Sequence, residues 1–199
     1  MVRRLRVVAC GLVVLAALLA GGCTPESGPT QSTSPSPPPS ASASPTPTEN
    51  AQERQQRLDR EAAENAYLTA DKELARLAMA GGASKPTKIL LATTAGDYLE
   101  VQMSDLKYFK KHGWHADRPI RSTVTASGGW SPTEIRLTAC EDGSQVRLLN
   151  KSGKEVEKNR PRRLVQKLTA TKVSGTWKVT GMEATKTVKS FENESGCRL

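Results

Sequence analysis

The hydrophobic pattern of this chain changes its period at Trp114, and this change limits the folds that the chain can adopt. Before Trp114, large apolar residues recur every three or four positions, as they do on one face of an α-helix. After Trp114, apolar and polar residues alternate and turn-forming residues recur about every eight to twelve positions, which is typical of antiparallel strands. Helices followed by a run of strands predict an α+β fold, with the helices packed across one side of a curved antiparallel sheet.

Three helices are predicted before the change of period. The first covers residues 51–80, because Asn50 and Glu53 form the capping-box pattern and two glycines follow position 80. A short second helix is predicted around residues 89–91. Asp97 is the predicted N-cap of the third helix, which carries one apolar face and ends at a glycine.

Five strands are predicted after it, at residues 120–126, 134–140, 145–150, 164–173 and 177–184. The dipeptides that begin at Asp142 and Ser174 each end in glycine and predict hairpin turns. Within the second strand, Ile135, Leu137 and Ala139 fall on one face, which we expect to pack against the helices. Residues 51–199 have the length of one ordinary domain.

The first 22 residues have the layout of an export signal. Three arginines precede an apolar run over residues 7–20, and two glycines then precede Cys23. This pattern resembles the lipobox of bacterial lipoproteins, although Ala20 stands where that family usually has leucine. The resemblance implies a signal peptide over 1–22 and a lipid on Cys23; cleavage without a lipid is the alternative. A spanning anchor is disfavoured, because the run is shorter than the roughly 20 residues that cross a bilayer.

The segment between Cys23 and residue 50 has a composition that opposes folding. Of the 27 residues after Cys23, 20 are Ser, Thr or Pro. Such a segment buries too little apolar surface to offset the entropy of ordering, so we expect residues 23–50 to be a disordered tether. Together with the lipid, the tether predicts a cell-membrane location on the extracytoplasmic face.

The predicted domain is basic, with 26 Lys and Arg against 18 Asp and Glu, a net charge of about +8. Nucleic acid is the usual partner for such a charge, but export argues against it, and anionic lipid or wall polymer is the expected alternative. The densest basic segment contains Lys151, Lys154, Lys158, Arg160, Arg162 and Arg163. This segment is either a contact for an anionic surface or a solvated loop, since Glu155 and Glu157 are interleaved with it.

Two cysteines, Cys140 and Cys197, remain in the predicted domain. Because exported proteins meet oxidising surroundings, we expect these two to form a disulfide. A zinc site is the alternative, but the cysteines are isolated, with neither a CxxC spacing nor a nearby histidine. No metal and no cofactor is predicted.

A resemblance to a known superfamily rests on three short stretches. These are the Gly113-Trp114 junction, the phrase over residues 137–142 and the strand start over residues 175–179. They are similar to actinobacterial exported lipoproteins that look like members of the nuclear-transport-factor-like superfamily, which includes ketosteroid isomerases and polyketide cyclases. The resemblance implies a cone-shaped domain over about residues 60–199, with a pocket between the helices and the sheet.

No catalytic constellation is evident in the sequence. His112 and His115 flank Trp114, but basic residues at a helix end are favoured by the helix dipole. Glu134 and Glu183 lie at predicted strand edges, and no acid stands out on an apolar strand face. We therefore expect a non-enzymatic module that binds a small molecule or an envelope protein. The alternative is an isomerase or cyclase type of enzyme, which would require a buried carboxyl with a raised pKa inside the pocket.

Overall fold

The computed structural model describes residues 49–192 together with Glu194 and Cys197. These residues belong to one compact unit, Thr46–Leu199. The predicted signal peptide, the lipid site at Cys23 and almost all of the predicted tether lie outside the described residues. Among the residues described, no helix combines the length and the apolar character needed to cross a membrane.

The described residues contain three α-helices: α1 (Ala51–Met79), α2 (Lys88–Thr93) and α3 (Gly96–His112). The capping box at the start of α1 is confirmed, because the backbone N–H of Glu53 donates to Asn50 Oδ1 at 2.9 Å and the Asn50 N–H donates to Glu53 Oε2 at 2.9 Å. The N-cap predicted for α3 is wrong. Ala95 occupies that position without a side-chain hydrogen bond, and Asp97 lies in the first turn, where a negative charge is favoured by the helix dipole.

Seven strands form two sheets in the part of the chain that the structure describes. Their bounds are β1 (His115–Ala116), β2 (Arg121–Trp130), β3 (Glu134–Asp142), β4 (Leu148–Leu149), β5 (Glu155–Val156), β6 (Arg163–Val173) and β7 (Thr176–Thr187). The larger sheet is an antiparallel meander in the order β2-β3-β6-β7, and the smaller one has the order β1-β4-β5. The predicted α+β class, with helices before antiparallel strands, is therefore confirmed.

The strand predicted at residues 145–150 is wrong in extent and in partner. Only Leu148–Leu149 is a strand, and it pairs with β1 and β5 rather than with the meander. The carbonyl of Val146 instead accepts hydrogen bonds from Arg160 Nη2 at 2.7 Å and Arg162 Nη1 at 3.1 Å. Because side chains satisfy this backbone group, the segment does not need a ladder partner.

The main core lies between α1, α3 and one face of the meander. Tyr67 of α1 and Tyr98 of α3 are almost completely buried there, together with Leu137, Leu168 and Val179 from three strands. Burying one such large side chain stabilises the fold by roughly 1.5–3 kcal/mol. A second cluster joins α1, α2 and α3, and so fixes how the helices sit over the sheet.

A close backbone contact sets the spacing between α1 and α3. Gly82 follows α1 with a φ of 88°, and a Cβ at this position would clash with the backbone of α3 at Leu106. Only glycine accepts both the positive φ and the contact. The turn after α1 therefore packs directly against the backbone of α3 and fixes the distance between these two helices.

The predicted disulfide between Cys140 and Cys197 is confirmed, with a Cα–Cα distance of 5.6 Å. Cys140 lies on the face of β3 opposite Ala139, so the bridge packs on the outer side of the sheet beside Val165. It closes a loop with a sequence separation of 57 residues. Restricting the unfolded chain by that loop is worth about 4 kcal/mol in the chain-entropy model.

Candidate functional site

A cavity of about 550 Å³ lies between α1, α3, the meander and the small sheet. This volume falls within the range of small-molecule pockets, roughly 300–1,000 Å³. Exposed residues form its rim: Asp105, Tyr108, Arg118, Ile120 and Glu157. Buried residues line its interior: Tyr98, Leu106, Ala116, Val146, Leu148 and Gln166. The cavity therefore runs from the surface to the core.

Regular periodicity brings the polar groups of the cavity together. Tyr67 and Asp71 lie one turn apart on α1, so they point to the same side of the helix. Glu141 continues the alternation of the inner face of β3, two residues beyond Ala139. Ala139 pairs with Gln166 of β6, which places Gln166 diagonally across from Glu141, at about 7 Å between Cβ atoms.

Glu141 is a half-buried acid on an otherwise apolar strand face. The hydroxyl of Tyr67 donates to Glu141 Oε1 at 2.8 Å. Burial raises the pKa of Glu141 to about 7, against the opposing effect of the Tyr67 hydrogen bond and with a further contribution from the charge of Asp71. Sequence reasoning missed this residue, because the strand was predicted to end at Cys140. Extending the face of Ile135, Leu137 and Ala139 by one more step would have found it.

Asp71 lines the same cavity, and burial raises its pKa to about 6, while the nearby Ser122 hydroxyl opposes the shift. Within the described residues, neither Asp71 nor Glu141 forms an ion pair with a lysine or arginine. Other largely buried carboxylates do have such a partner: Asp59, Glu73, Asp117 and Asp142. Among the described residues, the two cavity acids therefore differ from these four buried carboxylates in having no ion-pair partner.

Gln166 adds a third acceptor to the cavity. Its side chain is 6% exposed, and its Oε1 has no hydrogen-bond partner among the described residues. A buried polar atom without a partner costs about 1–3 kcal/mol, so native structures usually satisfy it with protein, water or a ligand. Because Gln166 faces the cavity, a bound molecule is one group that could fill this role.

The basic segment is divided between the surface and the interior. Lys151, Lys154 and Lys158 are exposed, as a contact for an anionic surface would require. Arg160 and Arg162 turn inward to backbone carbonyls around Val146. Arg163 Nε lies 3.4 Å from Asp142 Oδ2. The predicted anionic contact stays a prediction, and it rests on the three lysines, because the arginines already serve the fold.

The two histidines lie outside the cavity lining. The His112 ring lies 3.9 Å from that of Tyr108 between centroids, and its Nδ1 is 2.9 Å from the Tyr108 carbonyl oxygen. His115 belongs to β1. In the described part of the chain, no three His, Cys, Asp or Glu residues are grouped so that they could hold a metal ion.

Comparison with known proteins adds little to this description. No protein-family model and no curated protein matches the chain. Among solved structures, the chain is partly similar to the intermembrane space region of chloroplast protein ARC6, with 16% sequence identity and a TM-score of 0.44. The match covers 62% of this chain and 94% of that one. A similarity of this degree carries no functional argument.

Proposed function

We propose that the protein is a lipid-anchored lipoprotein of the cell envelope, which binds a small molecule in its cavity on the extracytoplasmic side without catalysing a reaction. The observation that carries the binding proposal is a cavity of about 550 Å³ whose lining includes the buried Gln166, with an amide oxygen that has no hydrogen-bond partner among the described residues. The export signal, the lipobox pattern at Cys23 and the tether support the proposed location.

The finer description of the fold belongs to the same proposal. In a nuclear-transport-factor-like cone, helices close one side of a curved sheet and leave a pocket between the two layers. The order of three helices before the meander and the position of the cavity between them support this description. The pocket would then be the feature that the superfamily resemblance implies.

Binding is tested by native mass spectrometry of the full protein, extracted from its own membrane in detergent. We expect a bound mass that disappears in Ala75→Trp, because Ala75 lines the cavity and the indole would fill it. Ala62→Trp is the matched control, since Ala62 is exposed on the same helix. A bound mass that survives in both variants would contradict binding in the cavity. A protein that copurifies with both variants would point instead to an envelope protein as the partner.

The lipid anchor is tested by growing cells with radiolabelled fatty acid. The label should enter the wild type and be lost in Cys23→Ala. Cys10→Ala is the control, because this cysteine lies within the predicted signal and should be removed with it. Equal labelling of the Cys23→Ala variant would overturn the proposed anchor.

A second candidate function is an isomerase or cyclase type of enzyme. The observation that favours it is Glu141, a cavity carboxyl whose pKa lies near neutrality and which accepts a hydrogen bond from Tyr67. Such a group can exchange protons with a bound molecule at physiological pH. The test is deuterium incorporation, followed by NMR, into a panel of cyclic ketones in D₂O. Incorporation by the wild type that is lost in Glu141→Gln would favour the enzyme over the binding module.

A further inference from the structure

Three hydrogen-bond acceptors line the cavity: the carboxyls of Glu141 and Asp71 and the amide oxygen of Gln166. Ionised Glu141 and Asp71 accept only, and the Gln166 atom that lacks a partner among the described residues is its carbonyl oxygen. The Tyr67 hydroxyl is already used, because it donates to Glu141. A ligand that satisfies these acceptors must therefore bring donors.

The negative charge of the two carboxyls indicates which kind of donor group a ligand should carry. At neutral pH two carboxyls share a partly dry site, and neither forms an ion pair with any lysine or arginine of the described residues. A neutral hydroxyl would leave both carboxyls without an ion-pair partner. An ammonium group has three donors, no acceptor and one positive charge, which matches both the three acceptors and the missing cation.

Most of the other residues that line the cavity are apolar, and the charged ones lie at or near its rim. Leu74 and Ala75 of α1, Leu106 of α3, and Val146 and Leu148 near the small sheet form its walls. Such walls favour a hydrocarbon body and disfavour a compact, fully polar cation.

We propose that the cavity binds an amine that carries an apolar body, with its ammonium group against Glu141, Asp71 and Gln166. This inference rests on the proposed binding function and specifies the chemical class of its ligand. Ammonium binding requires ionised carboxyls, so the affinity should rise with pH through the range in which Glu141 and Asp71 lose their protons.

Other titratable groups also face this site and must be counted. From α1 they are Tyr67 and Asp71, and from α3 they are Tyr98 and Asp105. From the loops around the rim they are Arg118, Glu157 and Arg160. Burial raises the pKa of Tyr98, so that tyrosine stays neutral, and burial also raises the pKa of Asp105. Between pH 5.5 and 8, Glu141 and Asp71 lose their protons, because burial raises their pKa values to about 7 and about 6.

The test compares three probes of one shape: phenylbutylamine, phenylbutanol and phenylbutanoate. Each is titrated by calorimetry into the full protein in detergent, and Ala75→Trp measures the uptake by detergent alone. The amine should bind at least tenfold more tightly than the alcohol at pH 8, and its affinity should fall about tenfold at pH 5.5. The anionic probe should bind most weakly.

Two isosteric variants locate the contact. Glu141→Gln should remove the preference for the amine, and Asp71→Asn should reduce it several-fold. Both variants keep the shape of the side chain, and their folding is checked by thermal unfolding. Tyr67→Phe should retain amine binding but move its pH midpoint upward, because the Tyr67 hydrogen bond lowers the pKa of Glu141.

The outcomes separate this inference from the proposed function. Equal binding of amine and alcohol, both lost in Ala75→Trp, would overturn the inference while supporting a binding cavity. If the wild type binds the probes no more than Ala75→Trp does, the inference is also overturned. Native mass spectrometry then tests the proposed binding function on its own. An amine preference that persists in Glu141→Gln would contradict the assigned contact.

Discussion

Two aspartates of α1, Asp59 and Asp71, lie about 18 Å apart along the helix and have opposite surroundings. Asp59 is 4% exposed and accepts four hydrogen bonds, from Gln55, Trp130, Lys172 and Trp177. Asp71 lies in the cavity with a second carboxyl and without an ion-pair partner among the described residues. Two aspartates of one helix therefore differ: Asp59 has an ion-pair partner, whereas Asp71 has none among the described residues.

The contrast separates an acid that holds the fold together from acids that suit a ligand. Burial alone would raise the pKa of Asp59, but the donors from Trp177, Lys172, Trp130 and Gln55 together lower it below its ordinary value. Burial raises the pKa of Asp71 and Glu141, and no such set of donors reverses the shift. Asp59 joins α1 to β2, β6 and β7 and so stabilises the fold. Glu141 and Asp71 lower the free energy of unfolding when they are ionised and the cavity holds no ligand.

The largest expected change in the free energy of unfolding follows from removing Asp59. Asp59→Ala leaves two indole N–H groups and Lys172 without their acceptor, so the free energy of unfolding should fall by about 3 kcal/mol. Chemical denaturation at pH 7 measures this change. Glu61→Ala, on the exposed side of the same helix, is the control and should have a much smaller effect. Similar small losses in both variants would remove the structural role given to Asp59.

At the cavity end, the same kind of change should stabilise the protein. Glu141→Gln removes an ionised group from a poorly hydrated site, so the free energy of unfolding at pH 8 should rise by on the order of 2 kcal/mol. At pH 5 the wild-type carboxyl is protonated and the gain should nearly vanish. Glu134→Gln, exposed on the same strand, is the control and should show no such pH dependence. Destabilisation by Glu141→Gln at pH 8 would refute the comparison.

The free energy of unfolding of the wild type should depend on pH through both the cavity acids and Asp59. The pKa values of Glu141 and Asp71 are raised on folding, so their contribution to stability falls as pH rises from about 4 to about 7. The pKa of Asp59 is lowered, so its contribution is lost as pH falls below the unfolded value near 3.8. Subtracting the profile of an Asp71→Asn, Glu141→Gln double variant should expose a decline of about 2 kcal/mol between pH 5 and 7.5. A flat difference would show that the cavity acids titrate normally.

The smallest effect concerns a single donor. Trp130→Phe keeps an aromatic ring but removes the N–H that lies 3.2 Å from Asp59 Oδ2. Three donors would remain to share the charge, so the loss of unfolding free energy should be about 1 kcal/mol, the usual net value of one hydrogen bond. Thermal unfolding can measure it. A loss as large as that of Asp59→Ala would mean that the ring packing of Trp130 matters more than its hydrogen bond.

Local patterns in the sequence predicted the parts of the fold that depend on neighbours along the chain. The capping box at Asn50, the apolar face of β3 and the α+β class all follow from such patterns, and the disulfide follows from export and cysteine number. Leu58 is the one large apolar residue between positions 51 and 65, and this pattern indicates a helix that is exposed on most sides. Asp59 is buried through Lys172 and Trp177, which are more than 110 positions away, so no local signal reveals it.

The candidate site was harder to predict for the same reason. Gln166 lies in the cavity because it pairs with Ala139 on the inner face of the sheet. Arg160 is not part of the basic surface because its side chain donates to the carbonyl of Val146. Glu141 is different, because the alternation of β3 already contained it. The error there was one of strand length, which is the least reliable part of a prediction from sequence.

The comparison is tested most directly by the titration of Glu141 itself, followed by the carboxyl ¹³C NMR signal of the full protein in detergent without added ligand. The midpoint should lie near pH 7 and should fall when phenylbutylamine is added. A midpoint near 4.5, the ordinary value for glutamate, would contradict the account, because it would show that the cavity carboxyl is already solvated or neutralised.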